Sequence, residues 1–284
     1  MTTTTTPTQV DAVQSARLSR PEPQMAVTFP RVVRSEWIKL RSLRSTVWSF
    51  AIMILASWGL ALLMPSTSSF DGASIPPEEQ ARIVLQAATF GVFFGQLVAA
   101  VLGVLVISGE YSTGMIRSTL TAVPTRIPAL AAKTLVLGVT TFAVALISNI
   151  GAFLIASPLL AAQGLHAQLF SGDVLVPLLT AALYLAVVAV FSLGLGTMLR
   201  SSAGGIAAAL GAILLLPIAL MMLPLEWAYD MAPYLLMNAG MESFGLNGIG
   251  AASGLEPWQL ILVTLAWAAV TLIAGAALLK RRDA

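Results

Sequence analysis

Six uninterrupted apolar stretches, at residues 46–64, 86–108, 129–156, 174–199, 202–223 and 258–279, constrain this chain more than any other feature. Each is at least about 19 residues long, the length at which an α-helix crosses the ~30 Å hydrocarbon core of a bilayer. None contains Asp or Glu, and Lys133, near the start of the third stretch, is their single basic residue. A charge at the centre of a span costs roughly 2.5–3.5 kcal/mol on insertion, so this exclusion separates membrane spans from the buried helices of a soluble core. Backbone groups in lipid must be satisfied internally, and the stretches lack the alternation of barrel strands, so the spans are helices. Composition agrees: 57% of the 284 residues are hydrophobic, 10% are charged and the mean hydropathy is +0.88. That is more apolar surface than a water-soluble core of this length buries.

Charge supplies an orientation. Arg31, Arg34, Lys39, Arg41 and Arg44 precede the first span; Arg117, Arg126 and Lys133 join the second to the third; Arg200 joins the fourth to the fifth; and Lys280, Arg281 and Arg282 follow the sixth. With six spans, all of these fall on one side. The other side has Arg82 alone against Asp71, Glu78, Glu79, Asp173, Glu226, Asp230, Glu242 and Glu256. The positive-inside rule then places both termini in the cytoplasm. The pI of about 9.2 reflects this topology rather than nucleic-acid binding, because the formal excess is only +2 and the bases flank apolar runs.

The expected organisation is a disordered cytoplasmic tail over 1–30, Thr-rich and without the apolar core of a signal peptide, an amphipathic interface helix over 31–45, and a six-span domain over 46–284. In the interface helix, Val33, Trp37, Leu40, Leu43 and Val47 form one stripe, with Arg34, Lys39, Arg41 and Ser42 facing elsewhere. Trp37 then anchors at the membrane interface and the bases meet anionic headgroups; the helix serves as a topology anchor or as a contact for a partner. Between the fourth and fifth spans, Arg200 and Ser201 leave room only for a tight turn. The 224–257 connection, with an apolar patch at 234–237, is expected to lie in or dip into the outer interface.

After the second span the chain runs Gly109, Glu110, Tyr111, Ser112, Thr113, Gly114, Met115, Ile116, Arg117, Ser118, Thr119, Leu120. Thr113 can cap a short helix whose Met115, Ile116 and Leu120 would be wasted on solvent, so the segment either docks a partner or rests on lipid. Small residues recur every fourth position along the second span at Gly91, Gly95, Ala99 and Gly103, a stripe for close helix packing within the subunit or at a dimer interface. Gly204, Ala208 and Ala212 make a similar face on the fifth span, which Pro217 is expected to kink.

Catalysis and metal binding find little support. The chain has no Cys and one His, His166, in an outer connection without a ligand array, so neither catalytic nor metal residues are assigned. Gln96 and Asn149 lie within spans and either contact a substrate or bond between helices. Nothing matches the glycine-rich phosphate loop of an ATPase.

Taken together, the order of features resembles the membrane subunit of a type-2 ABC exporter. The resemblance rests on Glu110, Tyr111 and Gly114, a Glu-aromatic-x-x-Gly pattern followed by Arg117 and Leu120. It rests also on a basic amphipathic opening that includes Arg34, Glu36, Trp37, Lys39, Leu40 and Arg41. It covers residue 31 to the end. It implies that Glu110, Tyr111, Gly114, Met115, Ile116, Arg117 and Leu120 belong to a coupling helix seated on a separate ABC ATPase, with the interface helix lying along the same partner. It further implies two ATPase copies, a second permease subunit in a homodimer or heterodimer, ATP and Mg bound only through the ATPase, and export of a hydrophobic or amphipathic compound such as a drug, antimicrobial peptide or natural product. Arg outnumbers Lys by twelve to three, which fits a bacterial, actinobacterial plasma-membrane protein of high-GC coding. The competing readings are an ion-gradient-driven transporter, disfavoured by the lack of acids at span centres, and a multi-span protein with no transport role.

Overall fold

The computed structural model describes residues 28–70, 72–115, 126–246 and 253–281, and among them every regular element is helical. Six helices are long and apolar enough to cross a membrane: Arg44–Thr67, Glu79–Ser112, Ile127–Ala161, Gly172–Leu199, Ser202–Met221 and Pro257–Arg281. The chain is an all-helical, multi-pass membrane protein whose spans fall where the apolar stretches place them, extended by a turn or more at several ends.

Helix α1, Phe29–Ser42, precedes α2, Arg44–Thr67, with Leu43 in an extended conformation between them. The second span consists of α3, Pro77–Thr89, and α4, Val92–Ser112. Helices α5, Ile127–Ala161, and α6, Gly172–Leu199, form the third and fourth spans. Arg200 then turns the chain in the left-handed region at φ 52°, and the Ser201 hydroxyl accepts from Gly204 N to cap α7, Ser202–Leu210. This is the tight turn expected there. A π-helical turn at Gly211–Leu215 separates α7 from α8, Leu216–Met221. Pro217 accounts for it: proline lacks an N–H and its ring crowds the carbonyl four residues earlier, and widening the preceding turn relieves both. The inward face of this span is Gly205, Ala209 and Ile213, one position on from the expected Gly204, Ala208 and Ala212.

Spans two and four form the centre of the bundle. Each has 61% of its most apolar window buried, against 17% for the first span and 22% for the fifth. The small-residue stripe explains this closeness. A Cβ on Gly103 would lie 2.1 Å from the Ala189 carbonyl oxygen, so the backbones of α4 and α6 touch there. Gly91 lies against Ser57 and Gly95 against Met53 and Leu185, while Ala99 is fully buried. The stripe therefore serves packing inside the subunit, against spans one and four.

Hydrogen bonds define the two ends. At the basic end Arg126 donates to Leu279 O (2.9 Å) and Ser202 Oγ to Ser108 Oγ (2.8 Å). At the acidic end Gln163 accepts from Phe70 N and donates to Pro65 O (both 3.0 Å). His166 is exposed there. The connection after the fifth span carries α9, Glu226–Met231, and α10, Leu236–Glu242, and leads to α11, Pro257–Arg281. It enters the bundle: residues 235–241 are all buried, and Trp267 Nε1 donates to Tyr234 O at 2.8 Å. Trp267 lies ten residues into α11, about 15 Å along its axis. Gly240 makes this depth possible, because a Cβ there would sit 2.1 Å from the Tyr184 ring.

Candidate functional site

Four charged side chains meet at the basic end, from three elements. On α1, Val32, Glu36 and Leu40 are spaced by four and form the buried face, so Glu36 points into the bundle beside two apolar residues. The last turn of α4 supplies Glu110 and the second turn of α5 supplies Lys133. Glu36, Glu110 and Lys133 are 3%, 4% and 5% exposed. Lys133 Nζ donates to Glu36 Oε2 at 2.5 Å and to Glu110 Oε1 at 2.9 Å. Lys39, at the rim, donates to Glu36 Oε1 at 2.7 Å and to Glu110 Oε1 at 3.0 Å.

The cluster is electrically closed, two carboxylates against two ammoniums, as burial away from water requires. Burial pulls the Lys39 ammonium toward deprotonation, but the hydrogen bonds from Glu36 and Glu110 and their negative charge outweigh it and hold its pKa above the ordinary 10.5. Glu110 Oε2 is buried without a hydrogen-bond partner. Beside the cluster lies a cavity of about 420 Å³, walled by Leu40, Leu43, Val106 and Leu137 and edged by Ser42, Ser45, Ser112 and Thr113. Removal of any one charge leaves a buried counter-charge, so the arrangement ties α1, the second span and the third span into one joint.

The chain leaves α4 immediately beyond this joint. Thr113 Oγ1 donates back to Gly109 O (2.8 Å), and Gly114 takes the left-handed conformation, at φ +72°, that commonly ends a helix. Thr113 thus bonds back to the second span, Glu110 and Tyr111 belong to that span's last turn, and the short helix expected to follow lies, beyond Met115, outside the described residues. The Tyr111 ring lies under the Arg200 guanidinium, 5.3 Å from its centroid. Met115 is exposed, and Ile116, Arg117 and Leu120 lie outside the described residues.

The expected stripe on the interface helix is corrected by one position. Leu40 is buried, but Trp37 is 45% exposed and the inward residues are Val32 and Glu36. The inward place of Glu36 is matched by the buried ammonium of Lys133, whereas the Trp37 indole is also satisfied at a membrane surface. Arg34, Trp37, Ile38 and Arg41 are left facing outward. The pairing of Glu36 with Lys133 is the feature that periodicity missed.

Two amide side chains within the spans bond between helices. Gln96 Oε1 accepts from the buried Tyr184 hydroxyl, and Asn149 Nδ2 reaches Leu178 O at 3.4 Å. Among the described residues, no three His, Cys, Asp or Glu side chains are grouped to hold a metal ion.

Comparison with known proteins assigns the architecture. A family model described as ABC-2 family transporter protein matches residues 31–284, so the match begins at α1 and leaves the first thirty residues outside. No curated protein matches the chain in sequence.

Proposed function

We propose, for a chain that belongs to the ABC-2 transporter family, that it is the permease half of an ATP-driven exporter in the bacterial plasma membrane, with both termini in the cytoplasm. Family membership carries a general partnership with an ABC ATPase. The finer reading is that two ATPase subunits bind ATP and Mg, and that two permease subunits form the pathway. The compound moved is hydrophobic or amphipathic, in keeping with predominantly apolar spans. The ATPase seats on the segment that starts at Glu110 and Tyr111 and continues through Gly114, Met115, Ile116, Arg117 and Leu120. Residues of α1 lie along the same partner.

The observation that supports this best is the joint of Glu36, Lys39, Glu110 and Lys133. A push on the segment after α4 moves Glu110, and through shared ion pairs it moves α1 and the start of the third span with it. An ion-gradient-driven carrier would place such charges near the bilayer midplane. Here they lie at the basic end.

The test is affinity purification of the intact protein in mild detergent, with identification of co-purifying chains and measurement of ATP hydrolysis. Recovery of an ABC ATPase, lost when residues 110–120 are replaced by a Gly-Ser segment of equal length, is the expected result. Recovery of the wild-type chain without any ATPase, together with transport that collapses on dissipating the proton or sodium gradient, overturns it.

A further inference from the structure

Helices α5 and α11 both pack on α6 and leave between them a groove of about 590 Å³. Its floor is Leu183, Ala186 and Val187 of α6, and its walls are apolar side chains of α5 and α11. The volume is that of a ligand site, ~300–1,000 Å³, and the walls select hydrocarbon. Its one polar lining residue is Thr134, whose buried hydroxyl has no hydrogen-bond partner.

The end of the groove nearest the basic face is marked by charge. Arg126 opens α5 and donates to Leu279 O, which bridges the two walls, and Lys280 and Arg281 follow on the exposed end of α11. Thr134 is eight residues from Arg126, and Leu272 is eight from Lys280, so the apolar groove begins about 12 Å inside the ring of bases. It runs inward to Phe142 and Leu265.

We infer that this groove is a binding site for one anionic phospholipid, with its phosphate over Arg126, Lys280 and Arg281 and one acyl chain between α5 and α11. Charge at the basic end and an apolar trough inside it match the headgroup and the acyl chain of such a lipid in order. A second copy of the chain is a poorer occupant, because the outward faces of spans one and five, with only 17% and 22% of their most apolar windows buried, offer it a broader surface.

The test uses the full chain purified from vesicles of equal parts dioleoyl phosphatidylglycerol and dioleoyl phosphatidylcholine, with retained lipid counted by native mass spectrometry. Bases near an anionic surface each contribute about fivefold. The wild type is expected to retain one phosphatidylglycerol with at least about tenfold preference over phosphatidylcholine. Lys280→Gln with Arg281→Gln lowers that preference by at least about fivefold while leaving the trough intact. Gly138→Leu fills the trough and lowers retention of both lipids, since a Cβ at Gly138 meets only Val190, at 3.4 Å. Equal retention of the two lipids by the wild type, or several phosphatidylglycerols per chain unaffected by the substitutions, overturns the site. Loss of a dimer in Gly138→Leu with lipid retention unchanged also overturns it and assigns the groove to a second copy.

Discussion

Replacing Lys133 with Met tests the joint at the basic end most directly. Lys133 lies between two carboxylates that are themselves 2% and 5% exposed at their side chains, and it donates to both. Without it, Glu36 and Glu110 share only the rim ammonium of Lys39, which is 27% exposed. Removing one partner of a buried ion pair costs about 3–5 kcal/mol, and here the loss falls on the packing of the two-turn inward face of α1. Opening of α1 is therefore expected to become about 10² to 4 × 10³ times more populated, at 1.4 kcal/mol per tenfold. Hydrogen exchange in lipid nanodiscs reads this at the amides of 32–42, with the amides of α4 and α6 as an internal control. The double substitution Glu36→Gln and Lys133→Met leaves Glu110 paired with Lys39 and restores charge balance, so it is expected to exchange more slowly than Lys133→Met alone. Coupling between the two positions should reach about 1–3 kcal/mol. Additive effects, or unchanged exchange over 32–42 in the single variant, would refute the idea that these charges hold α1 to the bundle.

Three other outcomes follow from the geometry. Gly103→Ala forces a Cβ against the Ala189 carbonyl and is expected to destabilise the chain by about 1–3 kcal/mol in SDS unfolding, whereas Gly59→Ala, where a Cβ meets nothing within 4 Å, should be neutral or stabilising by up to about 1 kcal/mol. Gly240→Val drives a side chain into the Tyr184 ring, so it should expel α10 and make residues 235–241 accessible to labelling through cysteines placed there one at a time in this cysteine-free chain. Because the pKa of Lys39 is raised on folding, its contribution is fully present below pH 10.5 and is lost only as pH rises through the higher folded value. Protection of α1 should therefore be level from pH 6 to 9, and a decline inside that window refutes the assignment.

Much of this was legible in the sequence, for physical reasons. Lipid excludes charge and demands internal hydrogen bonding, so six uncharged runs and one-sided bases translate almost directly into six helices. The fourth-position spacing of Gly91, Gly95, Ala99 and Gly103 likewise marks the helix face that lies closest to its neighbours. The charge joint was legible in principle. Lys133 is the one base inside an apolar stretch, and between residues 31 and 281 Glu36 and Glu110 are the only acids among the segments rich in bases. A lysine in that position demands a carboxylate. Helical periodicity hid the answer because it ranks residues of α1 by apolarity alone, which favours Trp37 over Glu36. The depth of α10 was less accessible: Glu226, Asp230 and Glu242 make the connection look solvated, and its burial depends on one glycine fitting one tyrosine ring across 56 residues.

The packing of the centre bears on where a transported compound would pass. Spans two and four touch backbone to backbone at Gly103, and Gly196 lies against Val104 and Ile107, so the middle of the subunit is filled by its own helices. Spans one and five bury only 17% and 22% of their most apolar windows and leave Trp48, Leu55, Leu62 and Leu215 more than half exposed. Under the proposed function the pathway then lies between subunits, against these outward faces, and not through a single chain. The joint at the basic end is placed to act on such a pathway, since α1 connects through Leu43 alone to α2, the least buried span. Cysteines at Leu55 and Leu215 supply the check. Disulfides that link two copies of the chain, and that change in yield when the ATPase is trapped with nucleotide, support a pathway between subunits; copies that never cross-link through either face point the pathway elsewhere.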